Sequence, residues 1–188
     1  VHDLAPLTAL GGTEPQVETI GTVTLTEVPG LALASVTARL GREADCAKGL
    51  RTLLDADLPG PGRAALASPL SAVWMGADQW MIGAPYDSHE DLAARLKTRL
   101  KNLASVTEQS DGWVCFDVTG AAVVAMFERL CAAPVRRMQA GDALRSTIHQ
   151  MGCFVICGAP GAHIRVLGPR SSAGSLHHAL VQAAVSIA

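Results

Sequence analysis

The sequence predicts an α+β protein. Three observations carry that expectation: β-rich runs arrive in pairs separated by turn signals, amphipathic helical stretches fall between the pairs, and no glycine-rich nucleotide fingerprint opens a helix after a strand. Runs of paired strands capped by helices require antiparallel or mixed sheets rather than a doubly wound parallel one.

Residues 1–21 carry Pro6, Gly11, Gly12 and Pro15 and show no periodicity, so they read as an extended arm lying against something else. A first strand over 22–28 and a second over 31–39 flank Pro29-Gly30, a pair suited to a type II turn. A helix is expected from about Glu43 to Leu54, with Leu50, Leu53 and Leu54 inward. The stretch Leu58-Pro59-Gly60-Pro61-Gly62-Arg63 is a loop. Residues 72–75 and 80–82 flank Gly76-Ala77-Asp78-Gln79 as a hairpin.

A long helix follows, with Ser88 as its cap, Asp91 three residues on, and Leu92, Leu96, Leu100 and Leu103 as its apolar stripe. A strand over 105–109 leads to the turn Ser110-Asp111-Gly112. Residues 113–119 then alternate, with Val114, Phe116 and Val118 on one face and Cys115 and Asp117 on the other. Thr119 is placed to cap a helix bearing Val123, Val124, Phe127 and Leu130, which must stop before Pro134. Strands over 144–149, 151–157 and 162–167 follow, the last two joined through Gly158-Ala159-Pro160-Gly161. The final helix presents Leu176, Leu180, Ala184 and Ile187.

The order is therefore ββα–ββα–β, then βα–βββα. It suggests two ferredoxin-like halves sharing one core. The 188 residues fit a single two-lobed domain over 22–188, with lobes at about 22–104 and 105–188, behind the arm.

Composition removes several functional classes. The net charge of -2 and pI near 6.3 lack the basic excess of a nucleic-acid binder. Aromatics at 4% are too scarce for base-stacking platforms. No apolar run reaches the ~18 residues of a membrane span, and no basic start precedes an apolar stretch as in a secretory signal. Charged residues are only 17% of the chain, against about 25% in ordinary soluble domains. A surface this poor in charge suits one covered by another chain.

Cysteine and histidine offer little chemistry. Cys46, Cys115, Cys131, Cys153 and Cys157 are odd in number and form no C-x-x-C. On a strand Cys153 and Cys157 would lie about 13 Å apart, too far for a disulfide or a shared metal. Buried free thiols in a reducing cytoplasm are expected. His2, His89, His149, His163, His177 and His178 form no H-x-x-x-H, and neighbouring His177 and His178 would point about 100° apart on a helix. No metal site is expected. Gly-x-Ser-x-Gly is absent, and nothing in the spacing singles out Cys115 with His149, or Ser71 with His89, as a nucleophile pair.

Gly168-Pro169-Arg170-Ser171-Ser172 ahead of the last helix has two readings, an anion site at a helix start or ordinary serine capping after proline. Trp74, Trp80 and Trp113 are candidate interface hot spots, with cross-strand core packing as the alternative. Arg136, Arg137 and Arg170 are candidate interface anchors, the first two otherwise a solvated pair.

Three segments together carry a resemblance. They are VWMGADQWMIGAP at 73–85, SDGWVCFDVTGAAVVAMFERLCAAPVRRM at 110–138, and IRVLGPRSSAGSLHHAL at 164–180. Their order and spacing resemble the gamma-subunit family of heterotetrameric sarcosine oxidase over roughly residues 20–188. That family is related in fold to the folate-binding domain of the glycine-cleavage aminomethyltransferase.

The resemblance implies a non-catalytic accessory subunit. Its complex oxidatively demethylates sarcosine to glycine and hydrogen peroxide and passes the one-carbon unit to tetrahydrofolate. The implied partners are alpha, beta and delta subunits in the cytoplasm. FAD, FMN, NAD and tetrahydrofolate belong to the larger partners and zinc to delta, so no catalytic, cofactor or metal residue carries over to this chain. The alternative is a stand-alone folate-binding protein or an aminomethyltransferase-like transferase of the same fold. Met151-Gly152-Cys153-Phe154-Val155 only partly echoes the Lys-Gly-Cys-aromatic-x-Gly-Gln-Glu segment of the folate-binding type that assists iron–sulfur assembly.

Overall fold

The structure is a computed structural model, and it describes residues 6–188. The strands are β1 (Val17–Ile20), β2 (Val23–Glu27), β3 (Leu31–Ala38), β4 (Ala64–Ala65), β5 (Ser71–Gly76), β6 (Gln79–Pro85), β7 (Ala104–Glu108), β8 (Trp113–Gly120), β9 (Ala143–Ile148), β10 (Met151–Ala159) and β11 (His163–Pro169). The helices are α1 (Glu43–Leu54), α2 (Tyr86–His89), α3 (Leu92–Leu100), α4 (Val123–Leu130) and α5 (Ala173–Val185). They form two compact units. One joins the chain up to Pro29 with Asp111–Ala188, and the other is Gly30–Ser110. The division between the units falls at 29/30 and 110/111, against the single lobe division expected near residue 104, and the first unit is discontinuous in sequence.

The expected α+β class is the class observed. The second unit is a ferredoxin-like β3-α1-β5-β6-α3-β7 arrangement. Its antiparallel sheet runs β4-β5-β6-β3-β7. Its core lies between that sheet and two helices: Ala34, Val36 and Ile82 meet Cys46 and Leu50 of α1 and Leu92, Leu96 and Leu100 of α3. In the first unit the antiparallel order is β1-β2-β8-β11-β10-β9. The fourth ferredoxin position, which β7 fills in the second unit, is filled here by β2 from the far side of the insertion. Alternation on β8 sends Val114, Phe116 and Val118 into a core closed by Met126 and Phe127 of α4 and Leu176 and Leu180 of α5.

Several local expectations are corrected. Of the expected arm at 1–21, Val1–Ala5 lie outside the described residues. Val17–Ile20 form an edge strand paired with β2, and the residues before it fold into a turn in which the Gly12 carbonyl accepts from the Thr8 N–H at 2.9 Å. A carboxylate holds this segment. Glu27 is only 3% exposed, and its oxygens accept from the backbone N–H of Leu10 at 3.1 Å and of Gln16 at 3.2 Å. Those bonds satisfy a charge that burial alone would penalise.

Ser88 does not cap the long helix. Pro85 (φ -60) opens the single turn α2 at once, and the Ser88 hydroxyl turns to His89 Nδ1 at 2.9 Å. Asp91 occupies the start of α3 without a side-chain cap, and Leu103 falls in a 3-10 turn after it. Thr119 is likewise no cap, because β8 claims it by pairing with both Thr24 and His163. Gly120 follows at φ +128, where a Cβ would collide with the Thr22 carbonyl, so only glycine lets β8 pass β2 there. Ile187 lies beyond the end of α5.

Glu27→Ala removes two charge-assisted backbone bonds and is expected to cost about 2 kcal/mol in urea unfolding. Hydrogen exchange at Leu10 and Gln16 should quicken in the same variant, while Glu14→Ala, an exposed neighbour, should change neither.

Candidate functional site

The most connected group of ionisable side chains sits on the face of the first sheet opposite α4 and α5. Antiparallel register puts Asp117 of β8 directly across from Arg165 of β11, and His163 two residues earlier on the same face. Arg165 donates through Nε to Asp117 Oδ1 at 2.8 Å and through Nη2 to Oδ2 at 2.7 Å. His163 Nε2 lies 2.9 Å from Oδ1 and must carry the proton it shares with a carboxylate. The His163 ring packs against Gly158, where a Cβ would overlap it.

The electrostatics follow from that geometry. Burial works against charge at Asp117, whose side chain is 20% exposed, but the hydrogen bonds from Arg165 and His163 outweigh it. They hold the carboxyl well below the usual range. The Asp117 hydrogen bond in turn raises Arg165. Three donors from β11 engage the carboxylate, two on Oδ1 and one on Oδ2, so the group ties β11 to β8, and the depressed carboxyl is a weak base.

The thiols are held protonated. Burial pushes Cys115 up to about 12 and Cys153 to about 11, and it also raises Cys46 and Cys157. Cys153 and Cys157 share the core face of β10, and Cys157 Sγ faces the Met138 carbonyl at 3.9 Å. The two imagined nucleophile pairs are not assembled as such. Cys115 is buried while His149 sits exposed in the β9–β10 turn, and the Ser71 hydroxyl donates to the Gly83 carbonyl at 3.2 Å. Among the described residues no group of three or more His, Cys, Asp or Glu could hold a metal ion.

The six candidate interface residues are spread across both units. Trp74 and Trp80 are cross-strand partners on β5 and β6. Trp80 is only 6% exposed and donates Nε1–H to the Pro59 carbonyl at 3.0 Å, while Trp74 is half-buried against the same core. Trp113 opens β8 with its ring centroid 5.5 Å from that of Phe154, and the Arg145 guanidinium lies 5.0 Å over the Phe154 ring. Arg136 makes a two-pronged pair with Glu128, at 2.7 and 2.9 Å, and Arg137 is exposed beside it. Arg170 donates to the Leu7 carbonyl at 3.0 Å, and Ser172 makes no capping bond, so this cation secures the N-terminal turn.

Sequence reading placed Asp117 on the non-core face but missed its partners. The same alternation along residues 162–167 puts His163 and Arg165 on one face. Only the β8–β11 register brings them to Asp117.

The fold defines an α+β protein built of two units, each with a single antiparallel sheet. No protein-family model matches the chain, and no curated protein matches it. Among solved structures it is similar to a chain of heterotetrameric sarcosine oxidase from Corynebacterium sp. U-96, with a TM-score of 0.76, 20% identity, and coverage of 90% of this chain and 87% of that one. It is also similar to the glycine cleavage system aminomethyltransferase T from Bartonella henselae, with a TM-score of 0.64, 16% identity, and coverage of 87% of this chain and 46% of that one. This chain therefore has the fold expected from the resemblance. Among the described residues no helix is long and apolar enough to cross a membrane.

Asp117→Ala leaves Arg165 without its partner in a partly buried site and is expected to cost about 3 kcal/mol at pH 7. The native carboxyl is depressed below its unfolded value of about 3.9, so its contribution is complete above that value. It disappears as pH falls toward the depressed native value, so urea midpoints of wild type and variant should converge on acidification. At pH 8, iodoacetamide on the folded protein should label half-buried Cys131 ahead of the four buried thiols, as mass spectrometry would show.

Proposed function

We propose that this chain is the non-catalytic gamma-type subunit of a heterotetrameric sarcosine oxidase complex. In that reading the complex demethylates sarcosine oxidatively to glycine and hydrogen peroxide, with the one-carbon unit passed to tetrahydrofolate. The alpha, beta and delta subunits hold FAD, FMN, NAD, tetrahydrofolate and zinc, and the assembly works in the cytoplasm. The observation that carries the reading is the fold shared with an oxidase chain of nearly the same length.

The side chains support an accessory role. The central carboxylate is engaged on both oxygens by its strand neighbours and held weakly basic, and burial raises the Cys115 and Cys153 thiols. Neither arrangement supplies the activated base or nucleophile that a transferase needs. The low content of charged residues suits a permanently covered surface.

A stand-alone folate-binding protein or transferase is the second reading. It is favoured by the likeness to the aminomethyltransferase, although this chain spans less than half of that protein.

Coexpression with alpha, beta and delta subunits should yield a complex in which this chain copurifies at fixed stoichiometry. The isolated chain should give no sarcosine-dependent hydrogen peroxide. A chain that elutes alone beside all three partners overturns the subunit reading, and tight tetrahydrofolate binding by the isolated chain, measured by calorimetry, replaces it with the second.

A further inference from the structure

The second unit carries a groove of about 390 Å³ along α3. Its apolar lining comes from Leu53 of α1, Leu70 before β5, and Leu92 and Leu96 of α3. Leu53 and Leu70 are only half-buried, so part of this lining meets solvent. Two cations lie on the same side of α3. Arg95 is paired with Asp91 at 2.6 Å, one helical turn away. Arg99, also exposed, has no carboxylate partner among the described residues. An apolar trough beside one neutralised and one free guanidinium has a net positive rim.

We propose that this groove is where a partner subunit of the complex docks, through a segment that places apolar side chains in the trough and a carboxylate on Arg99. The inference rests on the subunit reading above and adds the surface and the chemistry of the contact. Apolar anchors in a concave site supply most of an interface's energy. A carboxylate meeting an unpaired guanidinium supplies orientation and two parallel hydrogen bonds. Arg99 is available to such an outside partner, because Asp91, the carboxylate lining the groove, is committed to Arg95. The tryptophans are poorer anchors: Trp80 is buried within its own unit and Trp74 packs against the same core.

The test compares three exposed positions of α3 in the full chain, coexpressed with alpha, beta and delta subunits. Arg99→Glu reverses the free charge, and Ala94→Tyr fills the groove. Lys97→Glu makes the same charge change at a residue outside the lining. Melting curves of the isolated variants identify any that fail to fold. Arg99→Glu and Ala94→Tyr should weaken assembly about tenfold or more, the scale of one lost hot-spot contact, and Lys97→Glu less than about twofold. Equal affinities for Arg99→Glu and Lys97→Glu overturn the groove and leave the subunit reading intact. That is also the result expected if the groove serves a small anion instead. If the wild-type chain assembles with nothing, the subunit reading falls. The groove is then decided by titrating a synthetic helical peptide of leucine and glutamate: saturable binding lost in Arg99→Glu supports it, and no binding to wild type overturns it.

Discussion

The register of β11 on β8 is the constraint from which the rest of the first unit follows. It sets Phe116 opposite Val166, both in the core, and Asp117 opposite Arg165, both on the other face. Because side chains alternate with period two, a slip of one residue would turn the aromatic core outward and drive the carboxylate under α4 and α5. The ion group therefore does more than bind two strands. Its bidentate geometry is met only in the register that also packs the core, so a polar contact and an apolar one select the same pairing.

The second unit reaches the same strand order without a buried ion group. Its elements are consecutive, and it is closed by helix packing: Gly49 of α1 lies so near Leu100 of α3 that an added Cβ would stand 3.0 Å from Leu100 Cδ2. The first unit must instead recruit β2 across the whole of the inserted unit. Long-range closure of that kind is entropically costly. The specific contacts concentrated there are consistent with that cost. Glu27 gathers the N-terminal turn, Arg170 reaches Leu7, and Arg129 of α4 donates to the Ser186 carbonyl beyond α5.

What the residues alone disclosed depended on how local the signal was. Apolar periodicity located the longer helices, and turn residues located the hairpins. β1 was invisible because its two apolar residues, Val17 and Ile20, fall on opposite faces and follow a stretch of Gly and Pro, so the segment looks the same as a loop until a partner strand is known. Its anchor was faintly visible: Val23, Leu25 and Glu27 occupy one face of β2, so the alternation put a carboxylate where a hydrophobe belongs. The cap at Ser88 failed because Pro85 started a helix earlier than the serine could. The Asp117 group was half legible, since faces follow from sequence but register does not. The groove was wholly illegible, because its leucines come from three separate segments.

Asp117, Arg165, Glu27 and Arg170 are each engaged with their own unit, which fixes strands and turns but removes them from any other use. Catalysis of proton or group transfer requires a polar group whose partner is exchanged during reaction, whereas each of these has partners supplied permanently by the fold. Binding another chain requires the opposite condition, an apolar surface beside a charge that the fold leaves unmet. The side of α3 bearing Arg99 has that combination, half-buried leucines beside a guanidinium with no intramolecular ion pair among the described residues.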